Sequence, residues 1–315
     1  MPAALVRRSD DTSAPVLTGQ SGSLISLLDA VLVDGYGDKA ALGWTKPYSD
    51  TNEAAYRIDP TDGTGFYIYI DDSFGTYAEI RGYESMTAID SGTNPFPYTS
   101  LTKVRIVKSD SSDSTARPWI IYGDNRGIWL LVYRGYTDFY YYSRSGLHWI
   151  GDFITKVPSD TWACAVIGGN STTDSPLWQL RYFDQSPGAS YLRAYAARLS
   201  DGTGSSSDNA FKLIQSAASS DRVGQYGLGS SEMQDGKPLY IPFGGVCDCA
   251  SNTYRGALPI MYNCMQQNSV MRVSSRGDGK HYAGFVYHSF VYPGTTTYGG
   301  ALFDLTGDFR VYPHP

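Results

Sequence analysis

The sequence predicts a mainly β protein: an antiparallel sandwich or barrel-like core, preceded by an extended N-terminal arm and one short helix. Three observations carry that expectation. The 315 residues include 26 Tyr, 34 Gly and 16 Pro with only 18% charged residues, a composition of strands joined by many turns. Short apolar stretches with two-residue alternation recur along the chain, as in Tyr77–Tyr83, where Ala78, Ile80 and Gly82 alternate with Glu79 and Arg81. That period puts one face in a core and the other in water. Helical periodicity, by contrast, is clear only once in the first half.

That helical stretch lies between Ala14 and Arg57. Ser21 or Ser23 is placed to cap a helix start, and Leu24, Ile25, Leu27, Leu28, Val31 and Leu32 supply an apolar stripe at helical spacing. Asp34-Gly35-Tyr36-Gly37 ends it, since glycine reaches left-handed dihedrals without a Cβ penalty. Gly43 to Tyr48 reads as a turn anchored by Trp44 and Tyr48, and Glu53 to Ile58 as entry into the first strand. The stripe has two readings. It plugs the edge of a β-core, or it docks on neighbouring subunits, with Leu24, Ile25, Leu27, Leu28, Val31, Leu32, Trp44 and Tyr48 as the assembly interface.

The same stretch carries a resemblance. The order PVLTGQ, GSLISLLDA, VLVDGYG, GWTKPY and NEAAYR resembles the N-terminal signature of a group of structural proteins from tailed bacteriophages and prophages. It is strongest over about the first sixty residues and continues more loosely through later Gly-Asp turns to ALFDLTGDFR. The resemblance implies a virion component, with no catalytic motif, that works by oligomeric assembly with other virion proteins. The tail or baseplate is the favoured location, with the neck or capsid surface as the alternative. It also implies a site of synthesis in the host bacterial cytoplasm. A host-surface glycan-binding module and a glycan hydrolase are the alternative functions.

Further along, strands are expected at Phe66–Ile70, Tyr77–Tyr83, Val104–Lys108, Phe139–Tyr142, Trp162–Ile167 and Trp178–Phe183. Trp119–Tyr122 and Ile128–Tyr133 suggest a hairpin across Gly123–Gly127. Tyr191–Leu199 fits a strand or a helix. Later strands are expected around Leu239–Phe243, Ile260–Tyr262, Gly284–Tyr292 and Ala301–Phe303. Asp201 to Asp208 is the strongest linker candidate. The expected organisation is an anchor at 1–57, a β-rich unit at 58–200 and a second at 201–315, the last two separate or continuous. An echo of Gly-Asp turns around Trp129–Tyr133 and Phe285–Tyr287 suggests two similar β units, although such turns are common chemistry.

Charge and motif content narrow the function. A net charge of −6 argues against a nucleic-acid partner, and no 18-residue apolar run suggests a membrane span. The first fifteen residues lack the basic-then-apolar order of a secretory signal. Cys247 and Cys249 are too closely spaced for an ordinary zinc pair, and Cys164 and Cys264 complete no such motif. Buried free thiols are therefore expected, with no metal and no cofactor. His148, His281, His288 and His314 belong to no catalytic pattern. Asp71 with Asp72, or Asp124 with Asp152, are the carboxylate pairs a glycosidase reading invokes. Tyr136 and Phe139–Tyr142 are the richest aromatic group for sugar stacking, against the simpler role of packing. Arg276-Gly277-Asp278 reads as a turn. The sequence contains no positive sign of an enzyme.

Overall fold

The computed structural model describes residues 5–98, 104–135, 145–169, 192–204, 211–214, 240–248, 253–264, 274–275, 281–289 and 297–304. These open with β1 (Leu5–Arg8) and α1 (Ser23–Leu28), which widens into a π-helical turn, Asp29–Asp34. Next come β2 (Thr45–Asp50), β3 (Glu53–Arg57), β4 (Tyr67–Asp71), β5 (Tyr77–Tyr83), β6 (Ser85–Ala88), β7 (Ser91–Thr93) and β8 (Val104–Val107). The middle of the chain adds β9 (Trp119–Gly123), β10 (Gly127–Tyr133), β11 (Ser145–Asp152), β12 (Ile154–Thr155), β13 (Cys164–Gly169) and β14 (Leu192–Ala196). Last are β15 (Phe211–Ile214), β16 (Tyr240–Asp248), β17 (Thr253–Cys264), β18 (Ser274–Ser275), β19 (His281–Ser289) and β20 (Thr297–Asp304).

The protein is mainly β, as the alternation predicts. A large antiparallel sheet runs β1-β9-β10-β11-β13-β8-β5-β4-β3-β2, with β14 also on β13. It divides into two halves, because β13 and β8 meet at a single register pair, Gly169 with Arg105. Ala54, Tyr56, Ile68, Ile70, Ala78 and Ile80 from one half share a single core with Ile121, Ile128, Leu130, Ile150 and Val166 from the other. At the joint, a Cβ on Gly168 would sit 2.5 Å from the Arg105 carbonyl oxygen, so only glycine lets the two backbones approach.

α1 fills this core. Leu24, Leu27, Leu28, Val31 and Leu32 are buried in it beside Trp44, and Ile25 is partly buried against it. The stripe predicted from the sequence therefore exists, but the chain covers it with its own strands. The serine cap does not form. Ser21 donates its hydroxyl to Ser73 and Ser23 to Thr18, while Gly22 takes a left-handed φ of 77°. Asp72, just past β4, caps the helix instead: its Oδ2 accepts the Leu24 N–H at 2.8 Å and the Ile25 N–H at 3.4 Å. Gly35, with φ 83°, ends the segment as expected. The carbonyls of Val31 and Leu32 then accept N–H groups from Leu42, Gly43 and Trp44, which satisfies helix-end acceptors.

Other expectations are adjusted. The aromatic turn after Gly43 is an edge strand, β2, whose register with β3 slips between Thr45 and Tyr48. Pro47 lies in that slip, and a residue without an N–H is tolerated at such an edge. Tyr191–Leu199, open between strand and helix, contains strand β14. The expectations at Phe139–Tyr142, Trp178–Phe183, Tyr136 and the Arg276–Asp278 turn lie outside the described residues.

The later strands form a second sheet, β15-β16-β17-β20-β19-β18, and β12 joins it by pairing with β17. Arg255 of β17 reinforces that link. Its guanidinium bonds both Asp160 carboxylate oxygens at 2.7 and 2.8 Å and the Trp162 carbonyl at 2.9 Å. Strand pairing thus crosses the expected boundary at residue 200. The C-terminal Gly-Asp pairs of the echo lie outside the described residues; of the strands beside them, β9-β10-β11 and β18-β19-β20 are both meanders. Beyond them the orders diverge, since β11 continues to β13 and β20 to β17.

Candidate functional site

Strand alternation gives β2–β5 a second face, opposite the core, and three rows of side chains register across it. Tyr48, Ala55, Tyr69 and Arg81 form one, and Thr45, Arg57, Tyr67 and Tyr83 another. The third holds Asp50, Glu53, Asp71 and Glu79 in direct cross-strand succession, ending at Arg105 of β8.

The tyrosines are set by packing and by their hydroxyls. Tyr48 and Tyr67 lie 6.4 Å apart, centroid to centroid, and the Arg57 guanidinium sits 5.2 Å over the Tyr67 ring. The β6–β7 hairpin covers part of this face. Met86 packs with Ala55, Tyr69 and Tyr83, Tyr48 donates its hydroxyl to the Met86 carbonyl at 3.0 Å, and Tyr83 donates to Asp90 at 2.7 Å. Tyr48 and Tyr67 stay half-buried while Tyr69 and Tyr83 are buried.

The acidic row is electrostatically costly. Like charges directly opposite on neighbouring strands repel. Burial, and then the facing Asp71 carboxylate, raise Glu53 above the usual carboxylate range. Burial and the carboxylates of Asp90, Asp71 and Glu53 likewise raise the Tyr69 hydroxyl. At the end of the row, Arg105 lies 3.9 Å from Glu79 and stacks 3.9 Å over the Tyr77 ring.

Of the eight side chains expected to form the assembly interface, Leu24, Leu27, Leu28, Val31, Leu32 and Trp44 have at most 2% of their surface exposed. They have no area to offer a neighbour. An amphipathic stripe must leave water, and here the β-core removes it. Ile25 is partly buried against the same core. Trp44 also donates its indole N–H to the Asp124 carbonyl at 3.0 Å. Only Tyr48 belongs to the outer face. The tyrosine and acid rows were missed, although Tyr67-Ile68-Tyr69-Ile70-Asp71 already alternates polar-aromatic with aliphatic.

The remaining candidates hold structural positions in the fold. Asp71 stands in the outer row while Asp72 is buried behind it. Asp124 accepts the N–H groups of Arg126 and Gly127 inside the β9–β10 turn. Asp152 accepts both the N–H and the hydroxyl of Thr64 at 2.7 Å. His148 is fully buried, and burial, with the nearby Arg134 guanidinium, pushes it down to about 3. Cys164 is a buried free thiol, and Cys247 and Cys264 register with Tyr254 and Tyr240 rather than with each other. Among the described residues no three His, Cys, Asp or Glu side chains gather as a metal site, and no helix is long and apolar enough to cross a membrane. No family model matches the chain, and no curated protein matches it.

Proposed function

We propose that this chain is a non-enzymatic structural subunit of a tailed-phage particle, made in the host bacterial cytoplasm and built into the tail or baseplate region as a homo-oligomer. The observation that carries the reading is the outer face of β2–β5. It places half-buried Tyr48 and Tyr67 beside a row of four carboxylates next to an edge strand. Tyrosine buries apolar area while keeping a hydrogen-bonding tip, which suits subunit contacts. A basic patch on the next subunit would relieve the repulsion within the acidic row. The virion assignment itself rests on the N-terminal sequence signature, whose apolar residues serve the fold while the surface around Tyr48 serves assembly.

Cryo-electron microscopy of intact particles tests this directly. Wild-type chain should appear as a symmetric ring at the tail end. A Tyr48→Ala/Tyr67→Ala variant should stay folded by circular dichroism and be lost from particles. A ring at the neck or capsid surface would keep the structural role and move its place. Absence of the wild-type chain from purified particles would overturn the reading, and binding of the free chain to host-surface glycans would then be measured.

A further inference from the structure

Asp72, which caps α1, pairs with Lys108 deeper in the fold than capping requires. Asp72 and Lys108 expose no side-chain area, and charges so placed lose their hydration. Burial raises the Asp72 carboxyl above its usual range and lowers the Lys108 ammonium, which favours a neutral acid beside a neutral amine. These are the two reactants of an amide condensation.

The groups around the pair are arranged for that reaction. Lys108 Nζ is in direct contact with Asp72 Oδ1, and it donates to the Gln20 carbonyl at 2.6 Å. Ser23 Oγ lies 3.5 Å from the same nitrogen. The other carboxylate oxygen, Oδ2, accepts the Leu24 N–H at 2.8 Å and the Ile25 N–H at 3.4 Å. Two backbone donors converging on one oxygen form an oxyanion hole.

We propose that Lys108 and Asp72 condense into an intramolecular isopeptide bond joining the end of β4 to the end of β8. A proton first passes from the ammonium to Oδ1, leaving both groups neutral. The Nζ lone pair attacks Cγ, the N–C bond forms, and the π pair of Cγ–Oδ2 moves onto Oδ2. The N–H groups of Leu24 and Ile25 hold that charge. The carbonyl then re-forms, the Cγ–Oδ1 bond breaks, and Oδ1 departs as water after taking one of the two Nζ protons. No oxidant or cofactor is needed. The product keeps its partners, because the amide N–H still faces Gln20 and the amide oxygen still faces Leu24 and Ile25. Exclusion of water from the site protects the bond from hydrolysis.

Denaturing mass spectrometry of the full chain, followed by proteolysis and peptide sequencing, tests this. The wild-type chain should weigh one water less than its sequence mass and yield a branched peptide containing both Asp72 and Lys108. Lys108→Met should run at its full sequence mass. Asp72→Asn should lose ammonia in place of water and reach the mass of the wild-type product. Wild-type chain at full mass, with the two peptides separate, overturns the proposal. So does a water-sized deficit that persists in Lys108→Met. The wild-type result decides the matter even if a variant fails to fold.

Discussion

The two halves of the large sheet use the same core and treat their other faces differently. In β9 and β10 every residue from Trp119 to Gly123 and from Gly127 to Tyr133 is buried, so both faces are covered. Trp129 and Trp149 stand 5.1 Å apart on the side away from the shared core. In β2–β5 the outer face stays partly wet and carries tyrosines and carboxylates in rows. The difference shows in the strands themselves: Gly127–Tyr133 is continuously apolar after its glycine, whereas Tyr67–Asp71 alternates. Strands covered on both faces lose alternation and half-covered ones keep it. One half is covered on both faces, and the other leaves one face partly in water.

The sharpest way to break this comparison is to remove one aromatic ring from each half. Trp129→Ala should cost about 3–5 kcal/mol in urea unfolding, and Tyr67→Ala on the wet face about 1 kcal/mol or less. Equal losses would mean that the outer face of β2–β5 is core after all. The joint between the halves comes next. Gly168→Ala pushes a Cβ against the Arg105 carbonyl and should cost roughly 1–3 kcal/mol, read as a lower thermal midpoint. An unchanged midpoint would show that the two halves part easily there.

The smallest effect concerns the acidic row. Glu53 is raised in the folded chain, so the native state holds that proton more tightly than the unfolded state. Its contribution favours folding at low pH and is lost as pH rises through the raised folded value. Glu53→Gln should therefore stabilise the protein at neutral pH by roughly 0.2–1 kcal/mol, with the gain fading below the carboxylate range. Thermal midpoints at the two pH values check this, and a destabilised variant at neutral pH would show Glu53 to be an attractive partner.

Much of the fold is legible locally. The hairpin at Trp119–Tyr133, the strand at Tyr77–Tyr83 and the glycine stop at Gly35 appear where short-range patterns put them, and the strand expected at Phe66–Ile70 forms one residue further on, at Tyr67–Asp71. Each depends only on residues a few positions apart. The helix cap was not legible, because the capping carboxylate of Asp72 lies 48 residues beyond Leu24. Strand β2 was hidden by Pro47 and its exposed, polar composition. The rows of the outer face depend on cross-strand register, which alternation restricts to a parity and does not fix.

The sequence by itself determined that strands dominate, that one helix has an apolar stripe, and which residues of each strand share a face. Those properties follow from backbone period and side-chain polarity. Tertiary structure alone decided who covers the stripe, which carboxylates line up, and that Asp72 meets Lys108 away from water. Hydrophobicity is non-directional: it dictates that Leu24, Leu27 and Leu28 leave water without naming the surface that receives them. That choice belongs to packing across distant strands, and here the chain's own core made it.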